Sequence, residues 1–253
     1  MKTVTKLRFE GRAADELRPV FFERNYTRYA EGSVLVAFGF TKVLCTATVE
    51  EKVPAFLKGS DQGWLTAEYA MLPRATDRRT QRVVRSGLSG RSAEIQRLIG
   101  RALRTAVDLK RLGPRTITID CDVIQADGGT RTAAINGGYA ALVDALRKLV
   151  SNRTIAALPL LSIVSAVSAG KLNGEIFLDL DSDEDRAATV DFNVVMNDKS
   201  EFVEVQGTGE EGTFSRSEMD RILDLTGKGC AEVRKRQMEV LEFSEAERKI
   251  LAF

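Results

Sequence analysis

The chain has no histidine among its 253 residues. That absence removes imidazole acid–base catalysis, Ser-His-Asp triads, Cys-His pairs and HExxH metal sites in one step. Any chemistry must run on carboxylates, arginine, lysine and hydroxyls, with an oxygen-bound metal as the natural helper. Cysteine is scarce. Cys45, Cys121 and Cys230 lie far apart and form no C-x-x-C pair, which excludes a zinc ribbon, and an odd number argues against a disulfide framework. All three fit apolar patterns, so buried thiols in a reducing compartment are expected. Net charge is only +1, so no global field announces a polyanionic partner and any basic surface has to be local. No apolar run is long enough to span a bilayer and no secretory signal follows Met1. The expectation is a cytoplasmic protein without a membrane partner.

What is present describes a globular chain, 43% hydrophobic and 29% charged, in which no linker, low-complexity tract or repeat marks a division. Apolar patterning predicts a hairpin of 33–38 and 42–49 around Gly39, then a short strand Trp64–Tyr69. Ile95, Leu98, Ile99, Ala102, Leu103, Ala106 and Val107 follow helical spacing, so one helix is expected from Ser89 to Leu112, ended by Gly113-Pro114. A strand over 115–125 and a helix over about 132–149 follow, with Gly137-Gly138 marking close packing against a sheet. Further strands are read at 158–169, 174–181, 188–196 and 201–206. Ser215 and Glu218 form a capping box for a helix to about Leu241, with Gly227–Gly229 a candidate break.

Three stretches carry chemistry. In Asp120–Arg131 an alternating strand runs into Ala126-Asp127-Gly128-Gly129 and at once into a helical pattern at Thr130. Helix N-termini present unpaired N–H groups and the positive end of the helix dipole, so strand, glycine turn and helix start make an anion site. Arg131 adds a planar fork suited to phosphate oxygens. The same pattern also suits an ordinary tight turn before a packed helix. Residues 73–91 are rich in arginine (Arg74, Arg78, Arg79, Arg82, Arg85, Arg91) and hold one acid, Asp77. They read as a polyanion-facing loop, against the plainer alternative of a solvated charge run. Arg91 opens the following helix, so two helix starts bearing an arginine each would build a phosphate pocket on meeting. Residues 179–191 form an acidic loop leading into a strand. Asp191 projects from that strand opposite the apolar face, and an acid placed there needs a partner. Asp185 lies six residues earlier, and a bend would bring the two together to hold Mg²⁺ or Mn²⁺. For Asp183 and Glu184 a solvated loop is the expected reading.

Six blocks give the chain a resemblance. They are Asp15–Pro19 (DELRP), Gly63–Tyr69 (GWLTAEY), Met71–Thr76 (MLPRAT), Glu94–Ala102 (EIQRLIGRA), Ile119–Ala133 (IDCDVIQADGGTRTA) and Phe202–Gly209 (FVEVQGTG). From Gly11-Arg12 to about Leu241 the sequence resembles bacterial ribonuclease PH. The resemblance implies an α+β protein: a single mixed α/β domain over 1–253, with βαβ units and mixed sheets packed by helices. Polynucleotide phosphorylase and exosome core subunits share that fold. Residues 1–10 would be an N-terminal extension and 242–253 a C-terminal tail. It implies a phosphate-dependent 3′→5′ exoribonuclease, a nucleotidyltransferase that trims precursor tRNA and other RNA 3′ ends. Nucleoside diphosphates would be released, and nucleotides added in reverse. Carried over by position, inorganic phosphate falls to Arg91, Gly129, Thr130 and Arg131. The catalytic, Mg²⁺- or Mn²⁺-associated pair falls to Asp185 and Asp191, and RNA guidance to Arg74, Arg79 and Arg82. A homohexamer built as a trimer of dimers is implied as well. The acidic loop departs from the family pattern by lacking an aromatic residue, but both aspartates are intact. The alternative is a catalytically inactive, RNA-binding subunit of an exosome-like ring, distinguished by whether the phosphate turn and both aspartates survive in one chain; a non-enzymatic RNA chaperone would need the arginine loop but neither aspartate.

Overall fold

The computed structural model describes Arg8, residues 11–82 and residues 89–251. Two sheets sandwich one long helix. The first sheet contains β1 (Val20–Arg24), β2 (Gly32–Phe38), β3 (Thr41–Glu50), β4 (Trp64–Met71) and β5 (Thr116–Gln125), in the order β1-β2-β3-β5-β4. The β2–β3 hairpin turns at Gly39-Phe40 and pairs Phe38 with Thr41. β4 and β5 run parallel, joined by helix α1 (Gly90–Arg104) and the short helix α2 (Leu109–Leu112), so this segment is a βαβ unit.

α1 starts where Ser89 Oγ accepts from Ser92 N and buries Ile95, Leu98, Ile99, Ala102 and Leu103. It ends sooner than periodicity suggests. Val107 leaves the helix to bridge Leu160, Ala106 O accepts from Leu161 N, and Asp108 then caps α2. A tertiary β-type pairing thus divides what the sequence reads as one helix.

α3 (Thr130–Ser151) is buried on almost every side, because both sheets pack onto it. A methyl group on Gly137 would collide with Val36 and Cys45, which is the close packing expected of that glycine pair. Asn136, wholly buried, is satisfied by the backbone of Ala166, donating to its carbonyl at 2.7 Å and accepting from its N–H at 2.9 Å.

The second sheet contains β6 (Val164–Leu172), β7 (Glu175–Leu178), β8 (Val190–Asn197) and β9 (Phe202–Thr208), all antiparallel, in the order β7-β6-β8-β9. β6 begins later than the apolar run at 158–169 implies, since Leu160 is engaged in its bridge. The residues from Val164 to Gly170 are all buried, as in a strand covered on both faces. The covers are α3 and α5 (Arg216–Leu241). The capping box of Ser215 and Glu218 opens α5, which runs unbroken through Gly227–Gly229. Gly229 packs on Leu178.

Two further helices depart from the sequence reading. Residues taken as an acidic loop form α4 (Ser182–Ala187), closed by a capping box between Asp181 and Glu184. The stretch taken as a C-terminal tail contains α6 (Glu245–Leu251), held by Arg147, which donates to Glu247 at 2.7 and 3.0 Å. All three cysteines are buried thiols, as expected. No helix among the described residues is long and apolar enough to cross a membrane.

Candidate active site

β5 delivers the chain to a turn at Asp127-Gly128-Gly129, and α3 begins at Thr130. Gly128 and Gly129 both hold positive φ, +73° and +61°, a region that L side chains enter only with strain. A side chain on Gly128 would also strike the Leu180 carbonyl. Gly129 is the N-cap and brings no side chain to the first turn of α3, so the helix start keeps donors for an anion. The turn is held from behind. Thr41 Oγ1 accepts from Asp127 N at 2.9 Å and donates to Gly128 O at 2.6 Å. Arg18, 1% exposed, donates to the carbonyls of Asp127 and Gly128 while its guanidinium pairs in bidentate fashion with Asp179.

A cleft of about 550 Å³ opens over this turn. Arg91, Gly129, Thr130, Arg131, Asp185 and Asp191 all line it. The residues expected to bind phosphate and the two aspartates therefore share one concavity, though they come from α1, α3, α4 and β8. Arg131 donates to Gln206 Oε1 at 3.1 Å and stands 3.6 Å from Glu94. Thr130 Oγ1 lies 2.8 Å from the Tyr69 hydroxyl, which anchors the helix start to β4.

The carboxylates are electrostatically strained. Burial, and then the neighbouring charge of Asp185, push the Asp191 carboxyl up to about 6, against the pull of Arg131 and a hydrogen bond from Asn193. That bond is 3.0 Å long. Burial also raises Asp185, with Arg91 opposing it and Glu210 adding to it. Like charges held in a half-buried cleft favour either a shared proton or a cation between them. No cluster of three or more metal-type side chains exists among the described residues. Two carboxylates still suit Mg²⁺, which binds through one or two carboxylates and takes its other oxygens from water and substrate phosphates.

Arg74, Arg79 and Arg82 are exposed on the loop after β4 and do not line the cleft. Thr76 and Asp77, from the same loop, do. Arg85, part of the same arginine-rich stretch, lies outside the described residues. Glu184 corrects the reading of a solvated loop: it is ion-paired to Arg8 at 2.8 Å. Asp183 is exposed and pairs with Arg186.

Sequence reasoning missed several lining residues, among them Ser168, Asn193 and Glu210. Asn193 had a signal, since it alternates with Asp191 on one strand face. Glu210 was passed over in a loop. Ser168 sits in an apolar strand, and its buried hydroxyl has no partner among the described residues, a fact that no pattern discloses.

Known proteins agree with this architecture. The profile of the 3′ exoribonuclease family, ribonuclease PH type, matches with its first domain over residues 16–148 and its second over 162–229. Among solved structures, rice (Oryza sativa) Rrp46 superposes with a TM-score of 0.75 at 21% identity, covering 92% of this chain and 100% of that one. A chain of the Archaeoglobus fulgidus exosome with RNA bound to the active site gives 0.75 at 20% identity, covering 91% and 92%. A chain of an archaeal exosome core gives 0.72 at 20% identity, covering 90% of each. At such identities the likeness concerns the fold, while the two profiles together span most of the sequence. The chain therefore belongs to the 3′ exoribonuclease family of ribonuclease PH type.

Proposed function

We propose that the protein is an active phosphorolytic 3′→5′ exoribonuclease that trims precursor tRNA and other RNA 3′ ends. The observation that carries this reading is the single cleft lined by Arg91, Gly129, Thr130, Arg131, Asp185 and Asp191. Orthophosphate needs no base to become a nucleophile at neutral pH. It needs positioning and charge neutralisation. The α3 N-terminus with Arg131 and Arg91 supplies both, and the Ser168 hydroxyl, which has no partner among the described residues, offers one more donor. A phosphate oxygen attacks the terminal phosphodiester, a new P–O bond forms, and the bond to the 3′ oxygen of the preceding nucleotide breaks. That oxygen takes a proton from a carboxyl of the aspartate pair. Asp191 titrates near 6 with no metal bound, and the carboxyl that gives the proton is the one not holding the cation. The products are a nucleoside diphosphate and an RNA one residue shorter, and the step runs backwards when diphosphate is abundant. Mg²⁺ or Mn²⁺ held at the pair of Asp185 and Asp191 would supply charge neutralisation at the scissile phosphate.

Arg74, Arg79 and Arg82 guide the RNA towards the cleft in this reading, from an exposed loop whose Thr76 and Asp77 reach its edge. A cytoplasmic homohexamer, a trimer of dimers, is part of the same proposal. The test is incubation with a tRNA carrying a 3′ extension and Mg²⁺, with and without inorganic phosphate. Nucleoside diphosphates released only with phosphate support the reading. Monophosphates released without it mean hydrolysis. RNA binding with no release means an inactive ring subunit.

A further inference from the structure

Three arginines ahead of β1, Arg8, Arg12 and Arg18, reach across the molecule to the site. Arg8, with 3% of its side chain exposed, pairs in bidentate fashion with Glu184 at 2.8 and 3.0 Å. It also donates to the carbonyls of Leu178, Asp179, Ala13 and Ala14. Arg12 donates to Asp179 O at 3.3 Å. Arg18 pairs with Asp179 and holds two carbonyls of the phosphate turn. These arginines grip the stretch that leads into α4, and Glu184 is the residue next to Asp185.

α4 has little else to hold it. It is six residues long and buries none of them. A helix of that length is unstable alone, and with no apolar face committed to the core its placement depends on polar contacts. Its capping box fixes its start. Asp127 Oδ1 accepts from Ser182 N at 3.2 Å, which ties it to the phosphate turn. Glu184 is gripped by Arg8, with Arg12 standing 3.8 Å from the same carboxylate. The Arg8 contact is bidentate, and Glu184 is itself only 14% exposed at its side chain.

We propose that the N-terminal segment is a positioning device for the reaction: Arg8 sets α4, and with it Asp185, relative to the phosphate turn that Arg18 holds. Neither arginine lines the cleft. The inference rests on the phosphorolytic reading for its kinetic consequence, but its structural consequence stands apart from it.

The experiment uses the full chain with Arg8→Ala, Glu184→Gln, the double variant and Arg8→Lys. Each single variant should lower kcat ~10-fold, the scale of a small displacement of a catalytic group, with the phosphate KM unchanged. The double variant should be no worse than the worse single, because both remove one contact. Arg8→Lys should recover part of the loss. Hydrogen exchange should quicken at 182–187 in Arg8→Ala while α3 and the melting temperature stay as in the parent. Unchanged exchange at 182–187 overturns the inference whether or not the protein turns over. So does unchanged kcat in an active enzyme, or strictly additive losses. Failure of the parent to release diphosphates, with exchange still responding, would instead sink the phosphorolytic reading alone.

Discussion

The two halves of the cleft are built by opposite means. The glycine turn is a local structure: β5, two glycines in the left-handed region and the start of a buried 22-residue helix. Its neighbours in sequence largely dictate its shape, and α3 cannot shift without disturbing both sheets. The carboxylate side is a tertiary structure. Asp191 rides on a central strand, but Asp185 rides on a short surface helix held by residues distant in the chain. The rigid half suits a task that requires fixed donors. In the proposed reaction the lightly held half would suit carboxylates that exchange a proton and accommodate a cation.

The comparison breaks most visibly at the carboxylates. Asp191→Ala should lower kcat by about 10³-fold, within the range for loss of a general acid, while RNA affinity in a filter-binding assay stays near that of the parent. Equal loss of both would give Asp191 a structural role. On the opposite side of the cleft, Arg91→Ala should raise the phosphate KM about 10- to 100-fold, the worth of a hydrogen bond to a charged group, with RNA affinity little changed. An unchanged phosphate KM would remove Arg91 from the pocket.

Gly128→Ala probes the local half through stability. A side chain at positive φ, facing a carbonyl, should cost about 1–3 kcal/mol in denaturant unfolding. A neutral result would show that the turn is less tightly packed than its geometry indicates.

Asp191 also makes a prediction about pH. Its folded-state carboxyl titrates near 6, above the unfolded value, so the folded state resists its ionisation. The penalty is absent below the unfolded pKa of about 4, grows between 4 and 6, and is complete above 6. Two units correspond to at most about 3 kcal/mol. Asp191→Asn should therefore stabilise the ligand-free protein more at pH 8 than at pH 4. A gain independent of pH would contradict it. The smallest effect is expected from Asp183→Ala, on the outer face of α4, where an exposed ion pair with Arg186 is worth less than about 0.5 kcal/mol.

Much of this was legible beforehand because the relevant signals are short-range. Strand alternation in Thr116–Gln125, the glycine pair and the capping box at Ser215 each specify their own neighbourhood. The misreadings share a cause. Ala106 and Val107 keep helical spacing but are drawn into a bridge with Leu160. Glu184 looks solvated because the arginine that neutralises it lies at position 8, whereas the helix start at Asp181 had a local signal, its capping box with Glu184. Glu245–Leu251 looks like a tail because its anchor is Arg147 on α3. Ser168 looks like core because nothing along β6 says that one face opens on a cleft.

By itself the sequence determined the chemistry on offer and the secondary elements that carry it: no imidazole, a glycine turn ahead of a helix, arginines, and two aspartates in adjacent segments. Periodicity, turn geometry and titratable type are local properties, and local properties can be read from order alone. Only the tertiary structure decided that Arg91, Arg131, Asp185 and Asp191 face one cleft, and that Arg8 and Arg18 brace it from the opposite end of the chain. Burial and charge proximity are long-range quantities. They raise Asp191 and pin α4 only once the two sheets have closed on α3.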